Sequence, residues 1–328
     1  MTTFFTQSIL QRPKPMGMLI GVYGGLELIH ASIKQVVSEA QVQTDAVLAM
    51  QARFHSDVMM TAMDLSAEAE TFGCSIKMSD DEIPTVIGRL LTNEEQVNSL
   101  SIPTVGELRT GVYLKTAENL VRAKKAPVLG GCIGPFSLAG RLFGVSEILE
   151  ATMTDPELVK KLLEKVTQYL INYVMAFRQV GTVGVIMAEP AAGLLSPQGL
   201  AKFSSLYIKR IVTETQTSDF TLIVHNCGAQ INHLQKILEA GAEIYHFSTP
   251  MDLPKALQQV DAQVVLCGNL DPVALFYQGN EKEVELKTLQ LLELAKQHKN
   301  FVLSSGCDIP PHTPLRNLAA FYSTLKKN

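Results

Sequence analysis

Short apolar runs alternate with segments of helical periodicity along this chain, and the alternation restricts the fold more than any other feature of the sequence. The eight runs of strand length are Gly17–Tyr23, Ser56–Met60, Pro127–Cys132, Gly184–Ala188, Phe220–Val224, Glu243–Phe247, Val264–Cys267 and Phe301–Ser304. Asp155–Gln179 is the clearest amphipathic segment between them, and Asp155 and Pro156 are placed to start a helix there. Eight βα-like units in one chain of 328 residues favour a (β/α)8 TIM barrel over an open doubly wound sheet.

The N-terminal part of the chain matches this pattern less well, because Ser32–Phe54 has the character of an inserted helical segment. Glycine and proline punctuate strand ends and do not form a linker. We therefore predict a single barrel domain over residues 1–328 with an N-terminal helical extension or insertion. In such a barrel the active site is expected at the C-terminal ends of the strands.

The composition argues against several kinds of partner and location. A net charge of −4, without a basic run interleaved with aromatics, gives no electrostatic reason to expect nucleic acid or an anionic membrane surface. No apolar stretch reaches the roughly 18 residues of a transmembrane helix, and the N-terminus lacks the pattern of a secretory leader. Five cysteines in such a chain indicate a reducing cytoplasm, where Cys74, Cys132 and Cys267 are expected to be buried core residues.

Two other cysteines and a histidine form the most informative constellation. His225 and Cys227 stand two apart after one apolar run, so on an extended backbone their side chains leave the same face. Cys307 follows the last run, 80 positions after Cys227. Three ligands of this type predict a zinc site whose fourth position is free, which is typical of a catalytic zinc. Such a metal can bind a thiol and lower its pKa.

The sequence leaves alternatives open at this triplet. His225 and a cysteine could simply be buried core residues, although a Gly-Cys-Asp string after a late strand makes this less attractive. A structural zinc with a fourth protein ligand is the other alternative, and His246 and Glu189 are the candidates for that ligand. We favour an exchangeable site, with the substrate's sulfur in the fourth position.

Polar residues at other strand ends are further candidates. Glu189 and Asp57 are predicted catalytic residues, with Glu189 as a substrate-orienting group. Asn269 and Asp271 could bind the cofactor, or they could serve only in a turn and a helix cap.

Two further strings are assigned structural roles. Glu68 and Glu70 are expected on a solvated helix face. The glycine-rich string Gly130–Phe136 lacks phosphate-loop spacing, so it is expected to form a tight strand-to-helix turn.

Six strings occur together in a characteristic order. They are Ser56-Asp57, Glu68-Ala-Glu70 followed by Phe72-Gly73, Gly134-Pro135-Phe136-Ser-Leu-Ala, His225-Asn-Cys227-Gly228, Gly268-Asn-Leu-Asp271-Pro272 and Ser305-Gly306-Cys307-Asp-Ile-Pro310. This order resembles the uroporphyrinogen decarboxylase superfamily, and specifically its methylcobamide:thiol methyltransferase branch. The resemblance spans roughly Arg12 to Leu325, and its specific part is the His-X-Cys…Cys set.

The resemblance implies a (β/α)8 barrel that holds Zn2+ through His225, Cys227 and Cys307. It also implies that a methyl group passes from a methylated corrinoid, usually on a small carrier protein, to a zinc-activated thiol such as coenzyme M. The decarboxylase branch is disfavoured. Its arginine-rich N-terminal string is absent, because Gly17–Glu27 contains no arginine or lysine, and Cys307 stands where the decarboxylases have a histidine.

The methyl acceptor and two alternative functions stay open. No cluster of cations that would bind a sulfonate is evident, although Arg141, Lys202 and Arg316 are possible anion contacts. Homocysteine or another thiol could replace coenzyme M. A non-catalytic relative that binds a corrinoid or thiol is one alternative function. A zinc hydrolase is another, and it is disfavoured because two thiolate ligands leave less Lewis acidity for bound water.

Overall fold

A computed structural model describes residues 2–328, and a curved parallel sheet of seven strands lies at its centre. The strands in chain order are β1 (Met59–Met60), β2 (Ser75–Lys77), β3 (Thr85–Ile87), β4 (Val128–Ile133), β5 (Gly184–Ala188), β6 (Thr221–Asn226), β7 (Ile244–Phe247), β8 (Val265–Leu270) and β9 (Phe301–Ser305). The sheet order is β1-β4-β5-β6-β7-β8-β9, with every neighbouring pair parallel. The predicted TIM-barrel fold class is confirmed.

The first predicted strand, Gly17–Tyr23, is wrong in its extent. This segment forms one parallel bridge, Gly17 with Leu303, and then turns into a 3-10 helix at Val22–Gly24. It occupies the eighth position of the barrel between β9 and β1. Its backbone exchanges hydrogen bonds with Leu303, and the Gly17 N–H donates to the Asp57 carboxylate just before β1. Bonding to a side chain replaces the regular ladder there, so no continuous strand forms.

Helices surround the sheet. In chain order they are α1 (Phe4–Leu10), α2 (Gly25–Ile29), α3 (Ile33–Ser38), α4 (Ala40–Phe54), α5 (Ala67–Thr71), α6 (Glu94–Ser99), α7 (Leu108–Ala123), α8 (Pro135–Phe143), α9 (Val145–Thr154), α10 (Pro156–Gln179), α11 (Pro197–Leu200), α12 (Leu206–Thr215), α13 (Leu234–Leu238), α14 (Leu253–Leu257), α15 (Glu281–Gln297) and α16 (Leu315–Lys327). The predicted helical insertion appears as α3 and α4, and α10 begins as predicted, with the Asp155 side chain accepting from the Leu158 N–H.

The strands are buried on both faces. All residues of β4, β5, β6, β7 and β9 are buried, since one face packs inside the barrel and the other packs against helices. Cys74, Cys132 and Cys267 are buried and unpaired, as predicted. None of the helices in the described part of the chain combines the length and apolar composition needed to cross a membrane.

A short antiparallel hairpin, formed by β2 and β3, stands apart from the barrel sheet. It follows α5, and the chain between its strands carries the exposed acidic residues Asp80, Asp81 and Glu82. Ile83, Pro84 and Thr85 line a cavity that also reaches the ends of β6 and β9. The hairpin therefore forms one wall of the barrel mouth.

Candidate metal centre

Strand ends place the three predicted ligands together. His225 is the penultimate residue of β6, Cys227 directly follows that strand, and Cys307 follows β9 by two positions. Strands β7 and β8 lie between β6 and β9 in the sheet, so only the curvature of the sheet brings these ends close. The candidate ligand atoms of the three residues all lie within 4.8 Å of one another.

The spacing of these atoms fits tetrahedral zinc. Bonds of roughly 2.3 Å to sulfur and 2.0–2.1 Å to nitrogen would place a sulfur and a nitrogen ligand about 3.6 Å apart. The Cys307 Sγ lies 3.6 Å from His225 Nε2. One imidazole and two thiols are also a ligand set that zinc prefers, and three protein ligands leave one coordination position free. The residues present therefore fit a zinc ion.

Contact between the two thiols shifts their acidity in opposite directions. A hydrogen bond from the Cys307 thiol lowers the pKa of Cys227, and the contact with Cys227 together with burial raises the pKa of Cys307. A divalent cation bound here would displace the thiol protons, because cysteine binds metals as the thiolate.

A series of hydrogen bonds orients the His225 ring through Nδ1, the ring nitrogen away from the thiols. Its Nδ1 lies 2.8 Å from Nδ1 of His246, and Nε2 of His246 lies 2.8 Å from the Ser304 hydroxyl. The Ser304 hydroxyl in turn donates to the Met18 carbonyl. Burial lowers the pKa of His246 well below its usual range, so its ring is neutral at pH 7.

The hydrogen bond from Ser304 to the Met18 carbonyl sets the direction of the other bonds in this series. Because Ser304 gives its proton to a carbonyl, it accepts from His246 Nε2, and His246 Nδ1 then accepts from His225 Nδ1. His225 Nε2 is left with a free lone pair directed at the thiols. Both ring nitrogens of His246 are occupied, so the structure gives no support to His246 as a fourth ligand.

Glu189 lies outside the ligand cluster. Its carboxyl group is buried against Gly134, where Oε1 accepts from the Ser137 N–H in the first turn of α8 and Oε2 has no partner among the described residues. Burial raises its pKa to about 8, so it is mostly protonated at neutral pH. Its neighbours Ala188 and Pro190 line the cavity at the ligands. The orienting role of Glu189 stays a prediction, and the visible contact orders the turn into α8.

Asp57 lies at the opposite end of the barrel from the ligand cluster, because it precedes β1 whereas Cys227 and Cys307 follow their strands. Its carboxylate binds Arg12 at 2.6 Å and the Gly17 N–H at 3.0 Å. These contacts join the N-terminal segment to β1. The structure does not bring Asp57 to the metal cluster, so its predicted catalytic role has no geometric support.

Asn269 and Asp271 take up structural contacts. The Asn269 amide donates to the carbonyls of Ser248 and Met251, and the Asp271 carboxylate accepts from the Val273 and Ala274 N–H groups. Both also border a surface cavity beside α15 that is separate from the cavity at the ligands. The capping alternative accounts for these contacts, and the cofactor-binding role stays a prediction.

The prediction for Glu68 and Glu70 was wrong. Glu68 is 1 % exposed, its Oε1 accepts from the Ile133 N–H at 2.9 Å, and burial raises its pKa to about 7. Glu70 binds the Arg109 Nε at 2.6 Å. The helix α5 has only five residues and packs against α7 and α8, so it has no fully solvated face here.

Arg109 belongs to a buried polar cluster that sequence reasoning missed. Asp64 accepts from Arg109, from the Tyr113 hydroxyl at 3.1 Å and from Ser66. No spacing rule links Asp64 to a residue 45 positions away, so no sequence pattern could have found this cluster.

The cavity at the ligands has a volume of about 240 Å3. Its wall consists of Ile20, Met63, Leu65, Ile83, Pro84, Thr85, Arg141, Ala188, Pro190, His225, Cys227, Cys307 and Asp308. Burial raises the pKa of Asp308. Of the three cations predicted as anion contacts, only Arg141 lines this cavity. Lys202 lies over the Phe203 ring, and Arg316 is exposed beside α15 and α16.

Comparison with known proteins identifies the family. Residues 13–328 match the family model described as uroporphyrinogen decarboxylase (URO-D). The chain belongs to this family. The match covers the whole barrel together with the three candidate ligands.

The relatives of this chain include both methyltransferases and uroporphyrinogen decarboxylases. The chain is 29 % identical to the methylcobamide:CoM methyltransferase of Methanosarcina acetivorans over 80 % of this chain and 77 % of that protein. It is 25 % identical to the methylated-thiol–coenzyme M methyltransferase of Methanosarcina mazei over 80 % and 71 %. It is also 26 % identical to the uroporphyrinogen decarboxylase of Desulfotalea psychrophila over 79 % and 76 %.

Solved structures show the same fold. A methyltransferase from Methanosarcina mazei superimposes with a TM-score of 0.88 at 19 % identity, over 98 % of this chain and 96 % of that one. A B12-independent methionine synthase from a Shewanella species superimposes with a TM-score of 0.61 at 12 % identity, over 96 % and 97 %. At these identities the likeness concerns the fold alone.

Proposed function

We propose that this chain is a zinc-dependent methyltransferase that moves a methyl group from a methylcobamide to a small thiol. The observation that carries the proposal is the convergence of His225, Cys227 and Cys307 at the wall of a cavity, in a family whose members include methylcobamide:CoM methyltransferases. His225, Cys227 and Cys307 would hold the metal. When bound there, zinc supplies positive charge that lowers the pKa of an acceptor thiol at neutral pH.

The residues of the chain contribute orientation and exclusion of water. His246 and Ser304 hold the His225 ring so that Nε2 faces the two thiols. The apolar wall residues Met63, Leu65 and Ile83 limit the water around the reacting sulfur. Two anionic cysteine ligands would cancel the charge of the metal, so the sulfur of the acceptor keeps its nucleophilicity.

The proposed transfer balances without another reactant. The acceptor sulfur forms a bond to the methyl carbon, the cobalt–carbon bond breaks with its electron pair left on cobalt, and the thiol proton passes to solvent. The cavity of about 240 Å3 is below the roughly 300–1,000 Å3 of sites that enclose larger ligands. We therefore propose that the corrinoid is presented at the mouth, usually by a small carrier protein, and that only the methyl group and the thiol meet inside.

Decarboxylation of a porphyrinogen fits this cavity poorly. A substrate with many carboxylates needs several cations, and Arg141 is the only arginine or lysine among the described residues that line the cavity. A location in the cytoplasm is part of the proposal, supported by five free cysteines in the described chain.

The test combines metal content with turnover. We expect about one zinc per chain by elemental analysis and loss of methylcobalamin absorbance when a thiol is added. Cys307→Ser should lose the zinc and at least roughly 100-fold of the activity, because loss of a direct ligand exceeds the 10–100-fold typical of outer-shell changes. Cys132→Ala, which changes a buried cysteine of β4 outside the ligand cluster, is the matched control and should keep both.

Two outcomes would contradict the proposal. Full activity in a zinc-free Cys307→Ser protein would exclude the metal from the reaction. One zinc per chain without methylcobalamin consumption, across several thiols, would favour a non-catalytic protein that binds a corrinoid or thiol.

A further inference from the structure

Arg141 is a cation without a carboxylate partner at the wall of the reaction cavity. It lies near the end of α8, is half-buried, and lines the same cavity as Cys227 and Cys307. Within residues 2–328 no carboxylate oxygen lies within 4.0 Å of its guanidinium. A half-buried arginine on the wall of a cavity needs an anionic or polar partner to offset the loss of water around its charge.

Most other arginines in the described chain have the carboxylate partner that Arg141 lacks. Six of them form ion pairs with a carboxylate, namely Arg12, Arg89, Arg109, Arg122, Arg178 and Arg210. Arg53 lies over the Phe54 ring, and Arg316 is exposed in a surface groove with Glu281 and Glu285. Among the arginines of the described chain, Arg141 therefore combines partial burial, a cavity position and the lack of a carboxylate partner.

The surroundings leave the charge of Arg141 uncompensated. Asp308 is the one acidic residue of the cavity wall in the described chain, and its carboxyl oxygens do not lie within 4.0 Å of the Arg141 guanidinium. The acidic residues of the hairpin, Asp80, Asp81 and Glu82, are exposed to solvent, where their field is screened. A bound zinc with two thiolate ligands would add no net charge to this space.

We propose that Arg141 is the residue that distinguishes anionic from neutral methyl acceptors, because its guanidinium would bind an anionic group of an acceptor whose sulfur lies at the metal. This inference rests on the proposed function and assigns a specificity residue to the same site. Arg141 would act as a specificity residue, since the planar guanidinium can donate two parallel hydrogen bonds to such an anion. The cavity volume of about 240 Å3 restricts the acceptor to a few heavy atoms between the two ends.

The test uses thiols that share one reactive end and differ at the other. The probes are 2-mercaptoethanesulfonate, 3-mercaptopropionate and the neutral 2-mercaptoethanol. Binding to the zinc-loaded protein is measured by titration calorimetry, and turnover is measured with free methylcobalamin. Loss of a charged hydrogen-bond partner should weaken binding of the two anionic thiols roughly 10- to 100-fold in Arg141→Gln, with little change for 2-mercaptoethanol.

Two further variants separate recognition from folding. Arg141→Lys keeps the positive charge but lacks the planar guanidinium with its paired N–H donors. It should therefore retain part of the preference for the anionic thiols that Arg141→Gln loses. Arg316→Gln removes an exposed arginine outside the cavity and should leave every affinity unchanged. An unfolding temperature of Arg141→Gln equal to that of the wild type would show that the fold is intact.

The outcomes distinguish this inference from the proposed function. An unchanged ratio of anionic to neutral affinity in Arg141→Gln would overturn the inference, whether or not methyl transfer occurs. Absence of methyl transfer to all three thiols, with the affinity ratio still dependent on Arg141, would overturn the proposed function and leave anion recognition standing.

Discussion

His246 shows what a single buried side chain contributes at the candidate metal centre. It accepts from His225 Nδ1 and donates to Ser304, so it sets both the tautomer and the ring orientation of a candidate metal ligand. Replacement of such a partner typically weakens metal binding by about 10- to 100-fold. We expect His246→Leu, which keeps much of the volume and removes the acceptor, to lose zinc affinity in that range, as measured by competition with a chelating dye.

A matched variant isolates the hydrogen bond. His246→Asn carries an amide oxygen near the position of Nδ1 and should retain affinity closer to the wild type. Equal zinc affinity in wild type and His246→Leu would show that His225 needs no support from this residue. A general loss of folding would instead lower the unfolding temperature of both variants in the metal-free state.

At the scale of elements, glycines in β4 set how closely helices approach the barrel. A Cβ at Gly130 would lie 2.5 Å from the Phe177 ring of α10, whereas a Cβ at Gly131 would meet its nearest atom at 3.4 Å, an ordinary contact. We expect Gly130→Ala to lower the free energy of unfolding by about 1–3 kcal/mol through overpacking, measured by urea denaturation.

Gly131→Ala is the control on the same strand, and it should change the free energy of unfolding by less than about 1 kcal/mol. Combining Gly130→Ala with Phe177→Leu should recover part of the loss, because the smaller side chain makes room for the added methyl group. Equal stability of the two single alanine variants would refute this account. Gly130 and Gly131 therefore lie within β4 and serve close packing, and only Gly134 forms the predicted turn into α8.

For the whole molecule, the buried acid Glu68 links stability to pH. Burial raises its pKa from 4.5 to about 7, so the folded state binds more protons than the unfolded state between these values. Stability from this group is fully present below pH 4.5 and is lost as the pH rises through 7. The free energy of unfolding should fall by about 1.4 kcal/mol per pH unit within that window.

Glu68→Gln should remove the part of the slope that Glu68 contributes and keep the hydrogen bond from the Ile133 N–H, since an amide oxygen also accepts. Glu189, whose pKa is also raised by burial, contributes a slope of the same sign that remains in this variant. Urea unfolding of the metal-free protein at several values from pH 5 to pH 8 would reveal the difference. A wild-type slope that persists unchanged in Glu68→Gln would assign it to other groups. The expectation that residues 1–328 form a single domain stays a prediction.

Most of the fold and the centre of the site could be predicted because their signals are local. Seven of the eight apolar runs are strands of the barrel, since length and composition of a run depend on neighbours in sequence. The exception, Gly17–Tyr23, is apolar enough for a strand, yet its pairing depends on Leu303 and Asp57. His225, Cys227 and Cys307 could be chosen from the sequence, because ligand type and position at strand ends are visible there.

Tertiary structure alone decided the roles of the residues around that centre. The sequence predicts a solvated helix face for Glu68 and a catalytic role for Asp57, but burial against β4 and pairing with Arg12 define what these residues do. Arg141 was one of three equal candidates until closure of the barrel placed it at the ligands. Sequence alone determined most of the strands, the family and the three candidate metal ligands, since these follow from local pattern. Burial, charge compensation and access to the cavity were decided by the fold, since each depends on residues far apart in the chain.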